Sequence, residues 1–162
     1  MEMRRKDRAR DEGFSLELID RCSHGVLALN TGEDTPYCLP LSLVRVDRSL
    51  YFHCARQGRK VELMRACPKV CVTFVGGDSP AYLDKGEYTT YFQSAIVTGT
   101  VHEVTDDAEK ILALRALCEK LTPQAMDADQ FERAIARSLK ATGVWRIDME
   151  DISGKEKAPK IQ

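Results

Sequence analysis

SLYFHCARQGRK, residues 49–60, changes its local character within one short stretch. Leu50–Ala55 is an apolar, β-compatible run and reads as a strand. Gly58 interrupts it, and Val61 and Met64 follow at helical spacing in VELMRAC, before Pro68. The pattern predicts a short helix that begins after Gly58, buries Val61 and Met64 and ends ahead of the proline. Arg59 and Lys60 then fall in its first turn. A helix N-terminus offers unpaired N–H groups and the positive end of the dipole, and two adjacent cations add charge. That combination suits a phosphate monoester. The competing reading is two ordinary solvated cations on an exposed turn.

Upstream, Tyr37–Asp47 (YCLPLSLVRVD) alternates from Leu39, with Leu39, Leu41 and Leu43 on one side and Ser42, Val44 and Val46 on the other. Asp47-Arg48-Ser49 is a tight connection into the next strand. His24–Asn30 (HGVLALN) is a further strand, closed by the turn TGEDTP. Three strands with short connections imply an antiparallel meander. Pro40 cannot donate to a ladder, so it marks an edge, a bulge, or backbone that faces something else, such as a ligand.

Downstream, Val70–Val75 reads as a fourth strand. Gly76–Tyr88, with three glycines and a proline, reads as a loop. Thr89–Val104 is β-rich with Gly99 as a bend or bulge, and Val144–Ile152 is a sixth strand, apolar along Trp145, Ile147 and Met149. Ser15 reads as the N-cap of a helix through Cys22. Asp106 and Glu109 form a capping box ahead of Ile111, Leu114, Leu117 and Leu121. Thr122-Pro123 reads as another helix start, and Phe131, Ile135 and Leu139 mark an amphipathic helix to about Ala141. The expected architecture is mainly β (β+α): six antiparallel strands closing into a small barrel with peripheral helices. Residues 1–162 form a single domain. Residues 1–13 are a basic, solvated arm, 106–141 a helical pair before the last strand, and SGKEKAPKIQ a polar tail over the surface.

The chain has 162 residues, 43% of them hydrophobic and 30% charged, with a formal net charge of −1. That length can bury a core without metals or disulfides. The charge balance gives no bulk attraction to nucleic acid or to an anionic membrane. No apolar run approaches the ~18 residues of a membrane span. MEMRRKDRARDEGF has no apolar segment behind its charges, so the cytoplasm is the expected location. The six cysteines (Cys22, Cys38, Cys54, Cys67, Cys71, Cys118) contain no C-x-x-C pair, and the three histidines are scattered. The cysteines read as small buried apolar residues in a reducing compartment, with no metal site.

Few residues announce chemistry individually. His53 is either half-buried and bonded to a neighbour, or faces a ligand and moves a proton. Cys54 points to the opposite strand face, so the two do not form a thiol–base pair. Ser42 and Ser94 are plain hydroxyls unless something binds beside them, and Trp145 reads as core.

Taken in order, TPYCLPLSLV, SLYFHCARQGRKVELMRACPKVCVTF and YTTYFQSAIVTGTVHEVTDDAEKILALRAL resemble the pyridoxamine-5′-phosphate-oxidase-like FMN-binding split barrels. Within that superfamily they are most similar to the nitroimidazole-resistance (Nim-type) branch. The likeness runs from about Arg4 to Lys155, and LYFH-x-A…GRK and Y-x-S-x-I-V-x-G are its most specific parts. It implies a homodimer with FMN between the subunits. Arg59 and Lys60 would hold the phosphate. Backbone at Leu39, Pro40, Leu41 and Ser42 would meet the isoalloxazine edge, and His53, Cys54 and Ala55 would line the flavin. Gln93 and Ser94 would reach it across the interface, and Trp145 could close the site. His53 falls on the histidine regarded as the active-site residue of that branch. The implied activity is FMN-dependent reduction of a small-molecule acceptor, such as the nitro group of a 5-nitroimidazole. The alternative is a flavin- or haem-binding split barrel without turnover. A true pyridoxamine-phosphate oxidase is disfavoured, because Arg146 is the only cation in the final predicted strand.

Overall fold

The computed structural model describes residues 3–83 and 86–159. They form one antiparallel sheet of eight strands: β1 Ala9–Arg10, β2 His24–Leu29, β3 Tyr37–Ser42, β4 Val44–Val46, β5 Ser49–Ala55, β6 Lys69–Leu83, β7 Glu87–Glu103 and β8 Thr142–Lys157. The helices are α1 Glu12–Arg21, α2 Arg59–Ala66, α3 Asp107–Leu121 and α4 Ala128–Ser138. Neighbouring strands follow the order β3-β2-β6-β7-β8-β5-β4, with β1 also on β8.

β3 and β4 are separated only by Leu43, yet they occupy opposite edges of the sheet. The expected three-strand meander is therefore replaced by one segment that serves both edges: β3 pairs with β2, and β4 with β5. This crossing curls the sheet into a half-barrel. The closure is incomplete, because β4 covers β5 only from Ser49 to Tyr51. Phe52–Ala55 and the outer side of β3 keep open edges, which makes the barrel split. Lys120 pins the crossing: its Nζ donates to the carbonyls of Leu43 (2.9 Å) and Ile19 (3.1 Å). Burial pushes this ammonium's pKa down.

The inner face carries the main core, with Leu27, Leu43, Leu50, Phe52, Val72, Phe74, Val97 and Ile147 closed over by Leu18 and Ile19 of α1 and by Val61 and Met64 of α2. A second cluster (Val44, Tyr51, Val104, Ala113, Leu117, Val144) packs α3 on the other side of β4, β5 and β8. All six cysteines are free, five of them half-buried and Cys38 exposed, so their burial is shallower than the sequence suggests.

Several boundaries differ from the sequence expectations for physical reasons. Asp11, not Ser15, caps α1: its carboxylate accepts from the Phe14 N–H at 2.8 Å. Ser15 is fully buried and donates to the Asp11 carbonyl (2.9 Å). The arm docks instead of trailing in solvent, since β1 pairs with β8 and Arg10 bridges to Glu156 at 2.5 Å. The stretch expected as a loop after Gly76 is the top of a long hairpin, with Gly77 at φ +59° absorbing a bulge between Gly76 and Ser79. Pro123 opens only a 3-10 turn, and α4 starts after Asp127, whose side chain caps it. β8 runs on through Lys157, taking in the first half of the expected tail. Met1, Glu2, Asp84, Lys85 and 160–162 lie outside the described residues.

Gly99 stands at a register shift in the β7–β8 ladder, where the sequence anticipates a bulge. A Cβ there would lie 2.1 Å from the Asp148 carbonyl oxygen, an atom that cannot move without breaking the ladder. Gly99→Ala is expected to cost about 3 kcal/mol and lower the melting temperature by roughly 6–12 °C. Thermal unfolding followed by circular dichroism checks this.

Candidate functional site

The open edges of β3 and β5 face the N-terminus of α2, and together they gather most of the residues that the sequence singles out. Gly58, at φ +115°, is the N-cap of α2 and contributes no side-chain bond to its first turn. Positive φ there is a conformation glycine adopts freely. The first N–H groups of α2 therefore remain available to an anion, at the positive end of the helix. Arg59 is exposed and its guanidinium lies 5.2 Å from the centre of the Tyr37 ring on β3, so α2 and β3 meet at this mouth. Lys60 is half-buried and turns toward the Cys54 thiol. Burial pushes that thiol up, and the Lys60 ammonium draws it partly back.

Strand alternation divides the mouth into two lips. Leu39 and Leu41 are half-buried and pack toward the core with Cys54. Pro40, Ser42, His53 and Ala55 are exposed on the outer side. Pro40 stands opposite Val26 on an edge strand, where its missing N–H breaks no ladder. His53 pairs in register with Val144 and points away from Cys54. The two neighbours can thus address the same ligand only from different sides of the strand.

Trp145 lies beneath the mouth, in register with Phe52 and only 2% exposed. Its indole N–H is buried without a hydrogen-bond partner. The N–H dipole favours the Cys54 thiolate but is not in bonding geometry with it. An orphaned buried donor costs about 1–3 kcal/mol, so this mouth suits a ligand that brings an acceptor. Three further residues complete it and are not marked by any local pattern: Tyr37, Arg65 and Glu103. Arg65 bridges to Glu103 at 2.7 Å and lies 5.9 Å from the Trp145 ring centre. Only register shows that Glu103 stands opposite Trp145.

Gln93 and Ser94 are not at this mouth. They sit on β7, which is separated from β3 by β2 and β6. Ser94 faces outward in register with Val75, whereas Gln93 faces α1. Both ends of the Gln93 amide are engaged within the chain: Arg21 donates to its oxygen (3.2 Å), and its nitrogen donates to Glu156 (2.7 Å). The Gln93 hydrogen bond, followed by Arg10, holds the Glu156 carboxyl below its ordinary value of 4.5. A depressed folded-state pKa contributes stability that is present above the ordinary value and lost as pH falls through the folded one. Glu156→Gln is therefore expected to flatten the acid limb of stability as the pH falls below about 5. Urea midpoints measured across that window check it.

Among the described residues no helix is long and apolar enough to cross a membrane. A search of curated proteins finds no match. Among solved structures, the fold is similar to a candidate 5-nitroimidazole antibiotic resistance protein from Bacteroides thetaiotaomicron, at 23% identity over 91% of this chain and 84% of that one, TM-score 0.77. It is also similar to the flavocytochrome Anf3 of Azotobacter vinelandii, at 20% identity over 98% and 73%, TM-score 0.76. A third similar structure is a FAD-binding protein of Mesorhizobium loti, at 24% identity over 93% and 98%, TM-score 0.66. These identities speak to the fold alone. The sequence profile described as pyridoxamine 5′-phosphate oxidase matches residues 11–156, which take in both lips of the split, all of α2 and Trp145. The chain belongs to the pyridoxamine 5′-phosphate oxidase family.

Proposed function

We propose that this chain is an FMN-dependent oxidoreductase that works as a homodimer and reduces a small acceptor. The observation that carries the reading is the uncapped start of α2, with Arg59 and Lys60 beside it, opening onto the split between β3 and β5. Arg59, Lys60 and the first N–H groups of α2 would take the phosphate. The free edge of β3 from Leu39 to Ser42 would offer backbone groups to the ring edge, and the orphaned Trp145 N–H has an acceptor to gain. FMN supplies transfer of an electron pair to the acceptor. The protein's part is position, hydrogen bonding and exclusion of water. His53, exposed on the outer lip, would deliver the proton that accompanies the electrons.

The outer face of β2, β6 and β7 supports the dimer. Val26 and Val75 stand 41% and 64% exposed on it, in the same rows as Thr73, Ser94 and Ile96. Exposed apolar rows on a sheet face mark an interaction surface. A two-fold contact there would bring Ser94 of one subunit toward the split of the other, the only route by which it joins the site.

The nitro group of a 5-nitroimidazole is the acceptor class favoured by the likeness to the Bacteroides protein. Two electrons and two protons convert it to the nitroso compound and water. The reaction is tested anaerobically: FMN-loaded protein is reduced with dithionite, freed of excess reductant, and mixed with metronidazole. Stoichiometric flavin reoxidation with loss of the nitro absorbance is expected. Flavin that stays reduced overturns the nitro assignment.

A further inference from the structure

Beyond the barrel, β6 and β7 continue as a two-stranded ribbon with no third strand. Their pairing runs from Ser79↔Tyr91 to Leu83↔Glu87, whereas β8 reaches β7 no further than Phe92 and β2 reaches β6 no further than Thr73. An isolated ribbon of this kind is marginal in water. One side is backed by the N-terminal arm, where Leu83, Thr89 and Tyr91 share a cleft with Arg5 and Arg8. The other side is bare and ends in Tyr82 and Tyr88, 62% and 85% exposed, their rings 5.0 Å apart.

Register shows which face that is. β7 has no extra residue between Tyr88 and Thr98, so Tyr88, Thr90 and Phe92 continue the row of Ser94, Ile96 and Thr98. Opposite them, Tyr82 and Pro80 continue beyond the bulge on the face of Val75 and Thr73. Of the five large apolar or aromatic side chains exposed among the described residues, four (Val26, Val75, Tyr82, Tyr88) lie on this single face. None of these β6 and β7 positions carries a charge. Lys155 and Lys157 of β8 stand opposite Ser94 and Phe92 at the barrel end of the row, with Lys155 5.7 Å from the Phe92 ring centre, whereas Pro80, Tyr82, Tyr88 and Thr90 of the ribbon are uncharged. A two-fold contact places the same patch on both partners, and this uncharged ribbon meets its copy without like-charge repulsion.

We propose that the Ser79–Tyr91 ribbon is an intersubunit clasp, whose Tyr82–Tyr88 pair docks on a second copy of this chain. The inference rests on the reading of the outer sheet face as the subunit interface, and it extends that interface outward by roughly 14 Å of ribbon, four residue steps at about 3.4 Å each. Tyrosine pairs of this kind are typical interface anchors.

The test is sedimentation velocity on the full chain over a concentration series. Wild type is compared with Tyr82→Ser/Tyr88→Ser and with Val26→Asp, which strikes the sheet face alone. Both tyrosines are solvent-facing in the single chain, so far-UV circular dichroism should be unchanged in that variant. The expected result is a dimeric wild type and a dimer dissociation constant at least about 30-fold weaker in the tyrosine variant. Amide exchange over residues 79–91 should also slow as wild type is concentrated. A tyrosine variant with wild-type affinity and concentration-independent exchange overturns the clasp. If Val26→Asp still breaks that dimer, the sheet interface stands without it. A wild type that stays monomeric overturns clasp and interface together. Co-sedimentation of that monomer with phosphatidylcholine–phosphatidylglycerol vesicles would then assign the tyrosines to a lipid surface.

Discussion

Replacing Arg59 and Lys60 together by alanine is expected to weaken FMN binding by about 10²- to 10⁴-fold, because each charge-assisted bond to a phosphate is worth roughly 1.5–3 kcal/mol. The fold should survive. Arg59 is exposed, its ring contact with Tyr37 is worth about 0.5–1 kcal/mol at such a site, and Lys60 is only half-buried. The apolar residues that hold α2 in place, Val61 and Met64, are untouched. Riboflavin is the control, since it presents the same ring without the phosphate. Fluorescence titration should show the variant and wild type binding riboflavin alike while differing on FMN. An equal loss for both ligands would place the two cations elsewhere than at the phosphate. Wild-type affinity for FMN should also fall with added salt, and the variant's should depend on salt less.

His53→Ala is expected to leave FMN affinity within about threefold of wild type and to lower turnover by roughly 10²- to 10⁴-fold, the range of a positioned proton donor. The side chain is exposed on the outer lip, opposite Val144 and outside both core clusters, so its removal opens no cavity. A merely structural histidine would change stability and spare the rate. Rate and melting temperature, measured side by side, separate the two cases: the variant should lose turnover while unfolding at the wild-type temperature. Full activity in the variant, or a lower melting temperature at unchanged rate, would return His53 to an ordinary strand residue.

Local chemistry explains how much of this was legible in the sequence. The start of α2 is set by Gly58 and its end falls before Pro68, so the sequence placed Arg59 and Lys60 in its first turn, as the structure does. The Gly99 irregularity and the Asp106 cap of α3, where the carboxylate accepts from the Glu109 N–H at 2.8 Å, are equally local. Long-range effects were hidden. The strand expected over Tyr37–Asp47 is divided at Leu43 because closing the barrel requires one segment to reach both sheet edges. The Gly- and Pro-containing stretch after Gly76 reads as loop from composition, yet β7 supplies a partner strand in register. Gln93 is engaged by Arg21 and Glu156, 72 and 63 residues away, partners that no nearby spacing could reveal. The orphaned N–H of Trp145 likewise exists only in three dimensions, because burial of the indole comes from residues distant in the chain.

The most direct test of the account is the visible absorption spectrum of the protein as purified, with the released cofactor identified by mass. A flavin doublet from FMN, retained on each chain and lost in the Arg59→Ala/Lys60→Ala variant, is the predicted result. Colourless protein that takes up no added FMN, or a Soret band from bound haem, would contradict it.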